Sequence, residues 1–429
     1  MPSESPVEYI RRIKSLYPQD EVNTSSIPPV LKELHGNNEE NARKAVEALR
    51  GHDYANELLS GLKPGLPSLF FELNREGVIA IGEVNDPIPN AKTVRLDGPA
   101  YAIVFNTGLQ QFLYRVTRVL STRFHPQGSD AASQGLSFED SCRILTDVFF
   151  WFRETGRAFG PDYPVTKQQV IIASMLATAA ERFFLAHELG HVLNDLGAVA
   201  SKVPSEQREA AWADEANADQ FALFVVISAG NRESPTIPLE ICYAGAEIAL
   251  STFSGLEMLG VEFEDTHPPA QERLNAVRGY VRNSCADNTS FERMTAMSRP
   301  LDVLFSRIVD QLRAPDWESF LERASADVMK ELDRLLDQCT GGVVPDYYTF
   351  QASVPKLFDR LSTHRLYARV ADAAAAFAQH MQTMNENAGR AAKQEAWVSF
   401  QKFKLFMNMS QYTNEPFKSL LEEALGINT

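Results

Sequence analysis

The segment VIIASMLATAAERFFLAHELGHVLNDLG, residues 170–197, decides the fold because it is long, apolar and periodic. Apolar residues recur at i, i+3 and i+4 through residues 167–196, which predicts a helix. The predominantly apolar run at 170–180 is too short to span a bilayer, and Glu181 and Arg182 follow it directly. We therefore expect a soluble protein with no stable membrane insertion.

The same helix carries the motif HELGH at residues 187–191. Residues four apart lie on one face of a helix, one turn from each other, so His187 and His191 can reach one metal ion. Glu188 flanks this pair, where it can contact a water on the ion without competing as a main ligand. HExxH on a helix is the pattern of zinc metalloproteases, but it also arises by chance in helical sequences.

A catalytic zinc ion takes three protein ligands and keeps one position open for water. The helix of the histidines can end at Gly197, and Ser205 is suited to begin the next helix as its N-cap. That second helix contains Glu215, which we expect as the third ligand. Asp219 lies four residues further on the same face, where it can accept a hydrogen bond from a metal-bound imidazole.

Most of the remaining chain shows helical periodicity, with strands expected only between residues 77 and 106. The predicted fold class is therefore mainly α with a small β-sheet (α+β). We expect an N-terminal helical region at 1–65, a core domain at 66–290 and a C-terminal helical domain at 291–429. The predicted strands are 77–84, 92–97 and 100–106, and the helices of the core are 109–122, 138–155, 167–196, 205–229, 238–259 and 268–282.

The composition narrows the classes of function. The 429 residues include 41 Lys and Arg against 56 Asp and Glu, which gives a net charge of −15. A chain this acidic has no overall electrostatic attraction to nucleic acid or to anionic lipid. The four cysteines form no CxxC pair, and the first residues show no secretory signal. These features predict a cytoplasmic protein that does not bind nucleic acid.

The motifs HELGH and EANAD (215–219) together resemble those of the glutamate-ligand zinc peptidases called gluzincins. Within that group the chain is most similar to the CAAX prenyl endopeptidase and HtpX family. The segment THPPAQERLNAVR, residues 266–278, adds to the likeness, since that family has a His-Pro segment followed by an Arg on the next helix. The resemblance covers about residues 165–285. It implies a zincin-like metallopeptidase core of a soluble relative, with helical regions on either side.

The resemblance also implies a role for each residue of the motifs. Zinc would be bound by the two histidines and Glu215, with Glu188 as the general base. His267 and Arg273 would border the substrate cleft, and we expect His267 to help stabilise the oxyanion. The strand AYAIVFN (100–106) is the expected docking edge for an extended peptide.

Three functions remain open on the sequence alone. The first is a zinc endopeptidase that cleaves a cytoplasmic protein, with a stress, regulatory or defence role and a regulatory partner bound through the helical flanks. A variant of it is a peptidase that cleaves repressors, since such enzymes share HExxH and a strand similar to AIVFN. The second is a non-catalytic helical interaction protein with a structural or vestigial zinc. The third is a metal-dependent hydrolase of non-peptide amides.

Overall fold

The computed structural model describes residues 4–17, 40, 54–86, 88–124, 136–155, 160–161, 163–201, 207–232, 237–261, 267–320 and 322–324. Most of these residues are helical, and three strands form one small sheet, as predicted. The helices are α1 (Pro6–Leu16), α2 (Tyr54–Leu62), α3 (Ser68–Arg75), α4 (Thr107–Ser121), α5 (Phe138–Thr155), α6 (Lys167–Ser201), α7 (Gln207–Arg232), α8 (Leu239–Met258), α9 (Ala270–Ser284), α10 (Asn288–Met294) and α11 (Ser298–Arg313). The strands are β1 (Ile79–Val84), β2 (Ala91–Arg95) and β3 (Tyr101–Asn106).

Two compact units divide the chain. The first comprises Met1–Asp20, Ala48–Phe149 and Pro164–Ala314, and it contains the sheet and the HELGH helix. The second comprises Glu21–Glu47, Phe150–Tyr163 and Pro315–Thr429. Its described part holds an aromatic cluster, in which the ring of Phe150 lies 4.7 Å from that of Trp317 and 5.4 Å from that of Phe320. The predicted division at residues 65 and 290 stays a prediction. The helices expected between residues 325 and 429 lie outside the described residues.

The strand order in the sheet is β1-β3-β2. Strand β3 pairs parallel with β1 and antiparallel with β2, and all six of its residues are buried. The prediction that AYAIVFN offers the docking edge is therefore wrong, because this strand lies in the middle of the sheet with neighbours on both sides. Among the described strands, β2 is instead the edge that lies beside the HELGH helix.

Helix α6 forms the centre of the first unit and packs against α4, α7 and α8. By length and composition it is the one described helix that could cross a membrane, but 67% of its most apolar window is buried inside the protein. Burial of this kind is what a core helix shows. The expected end of the helix at Gly197 is wrong, since α6 continues to Ser201. Ser205, the expected N-cap of the next helix, lies outside the described residues.

The close approach of α6 and α7 depends on a glycine. A Cβ atom added at Gly190 would lie 2.9 Å from the Cα and 3.1 Å from the Cβ of Ala218. Real Cβ atoms do not come this near to backbone, so the glycine allows the two helices to approach more closely than a larger residue would. Gly190 is the fourth residue of HELGH and Ala218 the fourth of EANAD, so the contact brings the two motifs together.

Candidate metal centre

The two histidines of α6 face Glu215 of α7. The Nε2 atoms of His187 and His191 are 3.0 Å apart. Glu215 presents Oε2 to His187 Nε2 at 3.4 Å and Oε1 to His191 Nε2 at 3.2 Å. One ligand atom of each side chain lies within 4.8 Å of the others, so the three residues form a group that can hold a metal ion.

These separations fit a small tetrahedral ion. Ligand atoms bound at about 2.0–2.1 Å in a tetrahedron lie about 3.3 Å from one another. The two Nε2 atoms are 3.0 Å apart, and each lies 3.2 or 3.4 Å from its own oxygen of the Glu215 carboxylate. In addition, Glu215 Oε2 is buried and accepts no hydrogen bond from any described residue. The guanidinium of Arg273, 3.2 Å away, offsets part of the charge of this oxygen, and a bound cation would offset more of it. The donor set therefore suits zinc.

Each imidazole also contacts a carboxylate through its other nitrogen. His187 Nδ1 lies 3.0 Å from Asp219 Oδ1, and His191 Nδ1 lies 2.8 Å from Asp214 Oδ2. The contact with Asp219 is the one that the sequence predicts. The contact with Asp214 is not, because helical spacing from Glu215 selects residue 219, whereas residue 214 points about 100° away around the helix axis.

The charges around the site favour a cation. Burial lowers the pKa of His191, but hydrogen bonds to Asp214 and Glu215 outweigh burial and raise it to about 10. Burial raises the pKa of Glu215, but its contacts with the two histidines outweigh that effect and hold it well below the usual range. In both cases the surrounding groups stabilise positive charge between the imidazoles and the carboxylate, which is where a metal ion would lie.

Glu188 is buried beside the two histidines, and no hydrogen bond from a described residue engages its carboxylate. Its negative charge raises the pKa of His191, which places the carboxylate near the imidazole. Its backbone oxygen accepts a hydrogen bond from Thr93 Oγ1 at 2.9 Å. The edge strand β2 is thus attached directly to the residue that follows the first histidine.

Arg273, which the family resemblance predicts at the border of the substrate cleft, lies among the carboxylates of α7. Its guanidinium binds Asp219 through two atoms, at 2.7 and 2.8 Å, and its Nη1 lies 3.2 Å from Glu215 Oε2. Arg273 belongs to the buried stripe of α9 formed by Ala270, Leu274, Val277 and Val281. The apolar neighbours on this stripe direct the guanidinium into the protein, where it fixes both carboxylates.

His267 is the most exposed of the predicted residues, with 33% of its side chain accessible. Its Nε2 lies 3.2 Å from Glu215 Oε1. The start of α9 just after it is held by Glu257 of α8, whose carboxylate accepts a hydrogen bond from the amide of Ala270 at 3.0 Å. The structure thus brings all seven predicted residues to one place, with His267 on the open side.

Asp195 of α6 connects this helix to the sheet. It forms an ion pair with Arg95 of β2 at 2.9 Å and accepts a hydrogen bond from Tyr101 of β3 at 3.0 Å. It is one helical turn beyond His191 but contacts the strands and not the imidazole. Together with the bond from Thr93, it sets the spacing between the edge strand and the histidines.

A family model described as Peptidase U49 matches residues 155–294 of the chain. The matched segment includes both histidines, Glu215 and Arg273 but not the strands. This similarity supports a peptidase, that is, a hydrolase that acts on proteins or peptides. No curated protein and no solved structure matches the chain at a significant level.

Proposed function

We propose that this protein is a zinc-dependent endopeptidase whose metal is held by His187, His191 and Glu215. The observation that carries the proposal is the approach of two imidazole nitrogens to within 3.0 Å of each other and, at 3.2 and 3.4 Å, to the two oxygens of the Glu215 carboxylate. The family match supports the peptidase part. The gluzincin class, and the likeness to the CAAX prenyl endopeptidase and HtpX family, belong to the same proposal, as does a cytoplasmic location.

Zinc held by two imidazoles and a carboxylate supplies a Lewis acid, which polarises the scissile carbonyl and makes a bound water a nucleophile near neutral pH. Glu188 takes the proton of the attacking water, because its carboxylate lies beside the histidines and is not engaged by another described group. It then delivers this proton to the leaving amine. His267, on the open side of Glu215, is placed to donate a hydrogen bond to the oxyanion.

Arg273 and Asp219 act on the ligands and not on the substrate. The guanidinium forms an ion pair with Asp219 and lies close to Glu215. It therefore holds each of these two buried carboxylates in a fixed position. Asp219 in turn orients His187. A fixed ligand set costs little reorganisation during the reaction.

An extended substrate would add to the edge of the sheet formed by β2. This strand offers unpaired backbone groups, at least toward the described residues, and main-chain hydrogen bonds to such an edge bind a peptide with little regard to its sequence. The bond from Thr93 to Glu188 keeps the edge next to the general base. We propose that the helical regions outside the core select the substrate or bind a regulatory partner.

The proposal predicts that Glu188→Gln abolishes cleavage while leaving the metal in place. General acid–base catalysis contributes about 10²–10⁴-fold, so new peptide N-termini formed from a proteome-derived peptide library should decrease by this factor. Glu181→Gln, the same substitution two turns earlier on α6, is the matched control and should cleave like the wild type. Equal cleavage by Glu188→Gln and the wild type would contradict the role of Glu188 as general base, and absence of cleavage by a zinc-loaded wild type would favour a protein with a structural metal.

A further inference from the structure

Both histidines of the metal centre have a carboxylate partner at Nδ1, and the two partners differ in their surroundings. Asp219, the partner of His187, is buried and shared with Arg273 through two hydrogen bonds. Asp214, the partner of His191, keeps 40% of its side chain exposed. No ion pair other than the one with His191 involves Asp214 among the described residues. Among the described residues, its carboxylate therefore pairs with the imidazole of His191 alone.

The geometry requires a particular tautomer of His191. Its Nε2 lies 3.0 Å from Nε2 of His187 and 3.2 Å from Glu215 Oε1, so this nitrogen must offer its lone pair if a metal is to bind there. The proton of the neutral ring must then be on Nδ1. Asp214 Oδ2, at 2.8 Å from Nδ1, accepts this proton in a hydrogen bond. A carboxylate at that position also makes the imidazole a stronger ligand.

The backbone of Asp214 is held independently of its carboxylate. Its carbonyl oxygen accepts a hydrogen bond from Nδ2 of Asn194, one turn beyond His191 on α6, at 3.1 Å. Gly190 and Ala218 hold the two helices together on the other side of the site. Removal of the Asp214 carboxylate should therefore leave the helix pair in place and remove only the hydrogen bond at Nδ1 of His191.

We infer that Asp214 is a positioning residue, which fixes the Nδ1–H tautomer and the ring orientation of His191 so that Nε2 binds the metal. This inference rests on the proposed function, because it assigns a role toward the zinc. It adds a residue that lies next to Glu215 in sequence and outside the predicted set. Such outer partners usually change metal affinity by about 10–100-fold.

The test is zinc affinity, measured by competition with a chromophoric chelator for the full-length protein. Asp214→Ala should bind zinc at least about tenfold more weakly than the wild type. Asp214→Asn should lie between the two, because its carbonyl still accepts the Nδ1 proton but carries no charge. Asp195→Asn is the matched control, since it removes a carboxylate one turn from His191 that contacts Arg95 and Tyr101 instead.

A second readout separates positioning from general damage. In the zinc-loaded wild type, the Nδ1 proton of His191 should give a downfield NMR signal that is protected from exchange, and this signal should be lost in Asp214→Ala. Unchanged affinity in Asp214→Ala, with zinc bound by the wild type, would overturn the inference alone. Absence of zinc binding by the wild type would overturn the proposed function as well. An equal loss of zinc affinity in Asp195→Asn and Asp214→Ala would show that any nearby negative charge has this effect, and it would overturn the specific role of Asp214.

Discussion

Helix α9 contributes an arginine to each of two polar clusters, and in only one of them do the side chains pair fully with each other. In the first, Arg278 donates to both oxygens of Glu247, at 3.0 and 3.1 Å, and to Asp302 at 2.7 Å. Tyr243 donates a further hydrogen bond to Glu247. This cluster connects α8, α9 and α11, and the Glu247 carboxylate in it is engaged by both Arg278 and Tyr243.

The second cluster, around Arg273, is left incomplete by the protein groups that the structure describes. Two imidazole nitrogens face each other at 3.0 Å, and Glu215 Oε2 accepts no hydrogen bond. The comparison shows how a structural cluster differs from a binding site. In the structural one the donors and acceptors pair with each other, whereas in the binding site they converge on a point that a ligand must fill.

The largest expected effect on stability comes from removing the guanidinium of the Arg278 cluster, which we call the closed cluster. Arg278→Met would leave the Glu247 carboxylate buried without its cation, which costs about 3–5 kcal/mol of unfolding free energy. Arg293→Met is the matched control, because the pair of Arg293 with Glu240 is exposed and worth about 1 kcal/mol or less. Denaturant unfolding measures both. If the two variants lost the same amount, the Arg278 cluster would not be structural in this sense.

A smaller effect should follow from separating α6 and α7, which carry the histidines and the carboxylates of the Arg273 cluster. We call this second cluster the open cluster. In Gly190→Ala the new methyl group would meet the backbone of Ala218 at 2.9 Å, and such overpacking costs about 1–3 kcal/mol. Zinc affinity should fall too, since Glu215 and Asp219 move away from the histidines. Gly279→Ala is the control in α9, where an added Cβ meets nothing within 4 Å. There the substitution should stabilise by about 0.5–1 kcal/mol, and weaker zinc binding by this variant would contradict the packing argument.

The third effect depends on pH and concerns Glu181, a buried acid of α6 that accepts a hydrogen bond from the Tyr54 hydroxyl and lacks a cationic partner among the groups that shift its pKa. Burial, which outweighs the bond from Tyr54, raises its pKa from 4.5 to about 8. Because the pKa is higher in the folded protein, its contribution to stability is complete below about pH 4.5 and is lost as the pH rises through about 8. The slope between these values is up to about 1.4 kcal/mol per pH unit.

Glu181→Gln removes this titration but keeps a carbonyl that accepts the hydrogen bond from Tyr54. Compared with the wild type, the variant should therefore gain stability from pH 5 to about pH 8 in chemical unfolding experiments, and the difference should level off above that. A difference between the two proteins that stays constant over this range would show that Glu181 is ionised throughout. The acid would then have a compensating cation, like Glu247.

Much of the site could be predicted because its residues lie at helical spacing. His187, Glu188 and His191 share two turns of one helix, and Glu215 and Asp219 lie one turn apart on another. The strands and the core helices were predicted almost at their observed bounds, since their periodicity is strong. The short link between α6 and α7 favoured an antiparallel pair, and the contacts of His187 with Asp219 and of His191 with Asp214 run in that order.

The errors come from features that periodicity does not encode. AYAIVFN was expected at an edge, but strand order follows from pairing between distant segments, and its continuous apolar run fits a central strand better. Gly197 was expected to end α6, although a glycine also fits within a helix at a modest cost. Asp214 was missed because its carboxylate reaches the imidazole across two helices, at an angle that spacing within one helix does not reveal.

The central claim is that the open cluster binds one zinc ion. Its most direct test is the metal content per chain of the purified protein, after reconstitution with zinc, for the wild type and three variants. We expect about one zinc in the wild type and in Glu188→Gln, and loss of zinc in His191→Ala and Glu215→Ala. A full zinc content in Glu215→Ala would show that Glu215 is not the third zinc ligand. Absence of zinc from all four proteins would contradict the account as a whole.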